Sequence, residues 1–398
     1  METSYPYEQI DALVGRIFII EDKTVGTAQQ KFILRYRGKL RMDDSAAAYD
    51  QLAAQLEPLG LTPLFRWEEN RQAIVLIPGL SKPRPSNPRI NLILFIATLL
   101  TVWFSGALYG LEEPLPSDPV QVVLLFIRRG WPFAISMIAI LGAHEFGHYL
   151  MGRHHGVHVT LPYFIPMPFS PFGTMGAFIN MKEQPKNRRQ LLDIGIAGPL
   201  AGLMVAVPVL LLGLSLSEVG PFPLAAQSDT MLTLEGNSIL YLFLKFLVFG
   251  HLLPAPATYG NLSPLLYWLR YFFTGQPFPM GGTDVMLHPV AMAGWVGLLV
   301  TTMNLIPAGQ LDGGHILYVL LGRKNAQRLY PIILVALALL GLVWSGWWLW
   351  AFIIFLVGRF YAEPLDQITP LDNRRKWLAV LALVIFFLTF TPVPMVLI

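Results

Sequence analysis

The chain has 398 residues, 54% of them hydrophobic and only 13% charged, with a net charge of +3 and no cysteine. Soluble globular chains carry about 25% charged residues, so the composition excludes an ordinary soluble protein, and so small a positive surplus gives no reason to expect nucleic acid as a partner. Without cysteine there are no disulfides or thiolate metal sites, and any metal must be held by His, Asp or Glu. Several apolar runs reach the ~20 residues that span a bilayer, and the chain reads as a multi-pass integral membrane protein.

Residues 1–80 differ from the rest. "GRIFII" and "KFILRYRGKL" alternate like strands, "SAAAYDQLAAQLEPLG" has a helical period and a glycine stop, and "TPLFRWEEN" and "RQAIVLIPG" read as two more strands. A small soluble α+β domain is expected, followed by the linker "SKPRPSNPR" over residues 81–89. The start, "METSYPYEQI", has neither a basic nor an apolar signal region, so no cleaved signal peptide is expected.

Beyond the linker the pattern predicts a helical bundle of about seven spans. The first runs from about Ile90 to Tyr109, the second from Trp131 to Met151 and the third from Gln190 to Leu216. Ser238–Leu253 is apolar but short, and it is expected not to cross; its Lys245 can snorkel to the interface. The fourth span, Pro289–Leu321, is interrupted at "NLIPAGQLDGG". "LYPIILVALALLGLV" and "WWLWAFIIFLVG" form a hairpin turning at Ser345-Gly346, and Trp377–Pro392 is the last span. Lys and Arg concentrate on the side of the N-terminal domain, with Arg128, Arg129, Lys245 and Arg270 on the other, which places the N-terminus in the cytoplasm. No internal repeat is visible.

The second span contains "ILGAHEFGHYLMG". His144 and His148 are four apart, so they share a helix face, one turn above each other. Two imidazoles so placed can grip one zinc ion, and Glu145 between them can take a proton from a water whose pKa the metal lowers to about 7. Ionisable groups within a span are costly and mark functional sites. A catalytic zinc keeps three protein ligands and one open position. Asp312, in "NLIPAGQLDGGH", is the candidate third ligand, because a break at Pro307 and Gly309 would bring it to the depth of the histidines. His315, three residues on, is the alternative. His154, His155 and His158 offer a second metal site or, more simply, solvated histidines at the membrane surface. Asp193 opens the third span, where an acid suits the helix dipole.

"HEFGH" and "NLIPAGQLDGG", in order on separate spans, resemble the zinc motif and second motif of the site-2 protease family of intramembrane metalloproteases, and "GIAGPLAGL" is similar to the family's small-residue helix. Pro307-Ala308-Gly309 before the Leu-Asp-Gly is closer to the branch with cyanobacterial and chloroplast members. The resemblance covers roughly residues 90–360. It implies one zinc per chain on His144, His148 and Asp312, Glu145 as the base, and Asn304 as a holder of the substrate backbone or oxyanion. It also implies a re-entrant β segment in "LPYFIPMPFSPFGTMGAFINM", with Gly173–Met181 as an edge that clamps an extended peptide.

The reading is an intramembrane zinc metalloendopeptidase that cuts transmembrane segments of other proteins in regulated intramembrane proteolysis. The core spans residues 90–360, and residues 361–398 form a loop and final helix. A bacterial cell membrane or a thylakoid-type membrane is the expected location, with lipid and a transmembrane substrate as partners and a regulatory partner for residues 1–80 as a further option. The alternatives are a metal-ion transporter and a catalytically silent, chaperone-like relative; Glu145 speaks against transport, which needs no base between two ligands.

Overall fold

The computed structural model describes residues 5–27, 29–79, 86–109, 115–222 and 233–397. The N-terminal region contains α1 (Tyr7–Ile17), β1 (Phe18–Val25), β2 (Leu34–Leu40), α2 (Ser45–Leu56), β3 (Leu61–Glu68) and β4 (Arg71–Pro78). Its antiparallel sheet has the order β1-β2-β4-β3. The Asp44 side chain caps α2 by accepting from the Ala46 and Ala47 N–H groups. Glu69 and Asn70, both with positive φ, turn β3 into β4. Leu61 and Phe65 face a core with Ile10, Val14, Leu52 and Leu56, while Thr62, Leu64 and Arg66 point to the other face. Helix α1 is absent from the sequence expectation, which begins a strand at Gly15. Ile10, Val14 and Ile17 recur at helical spacing and are buried, so residues 15–17 close a helix before the strand starts at Phe18.

The apolar region continues with α3 (Pro88–Leu108), α4 (Pro119–His154), β5 (Tyr163–Pro166), β6 (Thr174–Phe178), α5 (Arg188–Ser215), β7 (Glu218–Pro221), β8 (Thr233–Glu235) and α6 (Ile239–Phe249). It ends with α7 (Pro264–Thr274), β9 (Thr283–Met286), α8 (Pro289–Asn304), α9 (Asp312–Leu340), α10 (Gly346–Val357), α11 (Asn373–Thr389) and β10 (Met395–Leu397). Among the described residues, α3, α4 and α5 are long and apolar enough to cross a membrane. Helices α6, α8 and α10 are apolar but shorter, so the expected count of about seven is not reached by length. Helix α6, with 11 residues, measures roughly 16 Å at about 1.5 Å per residue.

Helix α4 starts at Pro119 rather than near Trp131. Asp118 caps it and Pro132 is carried inside it, so Arg128 and Arg129 lie on the helix rather than in a loop. Its 36 residues measure roughly 54 Å, well beyond a hydrocarbon layer of ~30 Å. Helices α3, α4, α5 and α8 share a core that includes Val102, Phe133, Met137, Ile140, Leu210 and Leu298. Outward faces expose Ile93, Leu100, Leu150, Ile332 and Phe387, as a lipid-facing surface does. Helix α9 is kinked at Gly322, and the expected fifth span is its second half. Residues 81–85 of the expected linker lie outside the described residues; Pro88 and Arg89 already belong to α3.

Lys245 does not snorkel. It is fully buried, with Nζ 3.8 Å from Glu235 and over the Tyr241 ring. Nor do residues 361–372 form a simple loop to the last helix. Phe65 N–H donates to the Leu365 carbonyl and Gln367 N–H to the Phe65 carbonyl, each at 3.0 Å. On the other side of this strap, Asp366 N–H donates to the Lys186 carbonyl at 2.6 Å. Ile368 joins the N-terminal core, and Thr369 and Ser45 share a hydrogen bond of 2.8 Å. Burial raises the Asp366 carboxyl above its ordinary range, against the pull of the Thr369 hydroxyl and the Ile368 and Thr369 N–H groups.

Candidate functional site

The site is built where α4, α5, the α8–α9 break and the β5–β6 hairpin meet. Helix α4 places His144, Glu145 and His148 together, all buried. Helix α8 ends at Asn304, and the backbone then turns through Pro307 and Gly309 before α9 starts at Asp312. Gly309 takes φ +59°, and a Cβ there would come within 2.4 Å of the Gly358 Cα, so the tight turn requires glycine. The break brings Asp312 Oδ2 to 3.3 Å from Nε2 of both histidines. The two Nε2 atoms are 3.1 Å apart.

These distances test whether the residues fit zinc. A tetrahedral ion with bonds of about 2.0–2.1 Å needs donors about 3.3 Å apart, and the three observed separations match that edge. The tautomer also fits. His148 Nδ1 lies 2.7 Å from the Ile194 carbonyl and donates to it, which leaves the Nε2 lone pair for a metal. Among the described residues His144, His148 and Asp312 form a metal-competent group. His315 stands outside that group; it is buried against the same cavity, and its Nδ1 has no partner. Asn304 Nδ2 is 3.3 Å from His144 Nε2.

Helix α5 packs behind the histidines on small residues. A Cβ on Gly198 would sit 2.0 Å from His148 Nε2, so only glycine lets α5 approach. In front, β6 and the residues after it, Ala177–Met181, wall a cavity of about 400 Å³ that also contains His144, Glu145, Asn304 and Asp312. Glu145 and Ile179 face each other across this cavity. β6 is the edge of a two-stranded sheet, within the expected Gly173–Met181 segment. The Ile194 carbonyl and Gly198 are the participants that residue types could not reveal, although the small-residue run "GIAGPLAGL" marked the helix that carries them.

The His154 and His155 rings touch, with centroids 5.3 Å apart, but among the described residues these histidines and His158 form no metal-competent group. His155 is 3.0 Å from Asp193 and His158 is 2.7 Å from Glu183. Asp193 does more than meet a helix dipole: Arg375 donates to it from Nη2 at 2.6 Å and from Nε at 2.9 Å.

A buried His-Glu-x-x-His helix face completed by an aspartate, set among apolar helices, is the arrangement of a membrane-embedded metallopeptidase. The model of peptidase family M50 matches residues 132–343, just over half of the chain. The chain belongs to this family, the site-2 protease family. It is similar to "Probable zinc metalloprotease EGY2, chloroplastic" of Arabidopsis thaliana, 28% identical over 98% of this chain and 66% of the relative. It also resembles the Arabidopsis EGY1 of the same description, 31% identical over 71% of this chain and 46% of that protein. "Probable zinc metallopeptidase EGY3, chloroplastic" of Arabidopsis is 28% identical over 67% of this chain and 43% of its own length. The chain thus spans from under half to about two thirds of these relatives.

Proposed function

We propose that the chain is an intramembrane zinc metalloendopeptidase that cuts transmembrane segments of other membrane proteins. The observation that carries this reading is the convergence of two imidazoles and one carboxylate at 3.1–3.3 Å, beside a buried glutamate and an open strand edge. His144, His148 and Asp312 hold one zinc ion per chain. When bound, zinc supplies a Lewis acid and acidifies water.

The chain's own residues do the rest. Glu145 takes the proton of the attacking water and returns it to the departing amine. The edge of β6 and the residues up to Met181 bind the substrate as an added strand, which holds the peptide unwound. Asn304 steadies the scissile carbonyl. The helix packing keeps bulk water to the cavity.

In this reading about seven helices span the bilayer, with α8 and the first half of α9 forming one broken span. Residues 1–80 form a soluble domain on the cytoplasmic side of a bacterial or thylakoid-type membrane, as the Lys and Arg distribution argues. Residues 90–360 form the core, and 361–398 the strap and final helix. The test is metal analysis of the purified chain in nanodiscs, paired with cleavage of a single-span peptide by the parent chain and Glu145→Gln. One zinc in both and cleavage only by the parent is expected. Full cleavage by the variant, or a parent chain that binds no zinc, sinks the reading.

A further inference from the structure

A second cavity of about 910 Å³ lies beyond the catalytic one. Its far wall is the open face of the N-terminal sheet, with Thr62, Leu64 and Arg66 of β3 and Ile77 of β4. Its near wall is the chain that leaves the β5–β6 hairpin, residues 181–186, together with residues 361–363 and 365. Met181 and Ala362 line both cavities, so the two adjoin. The same stretch of chain serves both: Ala177–Met181 borders the catalytic cavity, and residues 181–186 carry the path onward.

We propose that this second cavity is a vestibule that receives the extended cytoplasmic flank of the substrate chain, with the N-terminal sheet as its outer wall. The proposal rests on the proteolytic reading above. A peptide laid along Ala177–Met181 covers roughly 13 Å at about 3.3 Å per residue and then runs into the vestibule. The wall is held in place rather than tethered. The strap bonds to Phe65 on one side and to residues 185 and 186 on the other, and Lys186 meets Asp50 at 2.8 Å.

The lining argues for a peptide. The cavity lies past the C-terminal end of α4 and before the start of α5, and Arg66, Glu183, Lys186 and Glu363 line it, which does not suit a lipid tail. It mixes Leu64 and Ile77 with side chains of both signs, such as Arg66 and Glu363, which suits polypeptide better than a polyanion. Residues 1–80 thereby acquire a role: they select substrates by the flank beyond the cut span.

The chain has no cysteine, so a single introduced thiol reports position cleanly. The probe is a synthetic Leu/Ala span of about 20 residues with a Gly-Pro break and Ser/Thr-rich flanks. It carries one cysteine either on the cytoplasmic flank or on the opposite flank. It is mixed with Glu145→Gln chains carrying Leu64→Cys or, as a reporter of the catalytic cavity, Phe178→Cys, and disulfide adducts are read on non-reducing gels. Leu64→Cys is expected to couple to the cytoplasmic-flank cysteine at least tenfold more than to the other. Coupling at Phe178→Cys but not at Leu64→Cys overturns the vestibule and leaves the proteolytic reading standing. Coupling at neither position overturns both. In the active chain, Leu64→Trp is expected to lower kcat/KM about tenfold for the flanked peptide and to leave a peptide trimmed just past the cut unchanged. An equal loss on both peptides also overturns the proposal.

Discussion

Beside α5, two imidazoles and a carboxylate point at one spot, and among the described residues no side-chain cation completes them. At α6, Lys245 lies buried 3.8 Å from Glu235, with Tyr241 donating to the same carboxylate at 3.0 Å and Asp284 buried nearby. Both clusters place ionisable groups in an apolar bundle, where an unpaired charge is costly. The second carries its own cation. The first has donors without one, at separations that suit a metal. The contrast teaches that a buried polar cluster reads as a binding site when its groups repeat the same chemistry around a common point. It reads as structure when they neutralise each other.

The largest expected effect separates chemistry from metal holding. Glu145→Gln should lower cleavage by about 10²–10⁴-fold with zinc content unchanged, as measured by mass spectrometry of the metal. Loss of zinc together with activity would move Glu145 from base to ligand support. At the other cluster, Lys245→Met leaves two buried carboxylates without their cation and should cost about 3–5 kcal/mol of stability. Zinc per folded molecule should not change, and a parallel loss of zinc would show that the two clusters are coupled.

Removing the metal is the next step down. Chelation should lower the melting temperature, with a stability loss of about 2.7 kcal/mol if zinc had stood at a hundred times its Kd. An unchanged melting curve would mean that the three donors hold no ion. The smallest effect is the most local. Gly198→Ala drives a methyl into His148 and should weaken zinc by about 10–100-fold in a chelator competition. Gly142→Ala, on α4 with open space around its Cβ position, is the matched control and should be neutral.

Much of this was legible in the residues. The α+β character of residues 1–80 follows from alternation and turn chemistry, and the break before Asp312 follows from Pro307 and Gly309. Helix α1 is not legible locally because "GRIFII" alone alternates like a strand, and its helical partners Ile10 and Val14 lie upstream. The place of Lys245 is not legible either, because a lysine on a short apolar helix has two outcomes, snorkelling or internal pairing. Which one occurs depends on whether Glu235 and Tyr241 reach it. The strap at residues 364–369 carries no local mark, since its bonds run to Phe65 and Lys186, far away in the chain.

The sequence by itself determined the chemistry available: two histidines on one helix face with a glutamate between them, no thiolate, and an aspartate after a helix-breaking run. These are consequences of a period of about 3.6 residues and of fixed backbone limits, so they can be read locally. Only the tertiary structure decided that Asp312 rather than His315 joins the histidines, that the Ile194 carbonyl orients His148, and that the N-terminal sheet faces a cavity next to the site. Those outcomes depend on contacts between elements distant in sequence, where packing and backbone hydrogen bonds choose among partners that local spacing leaves equivalent.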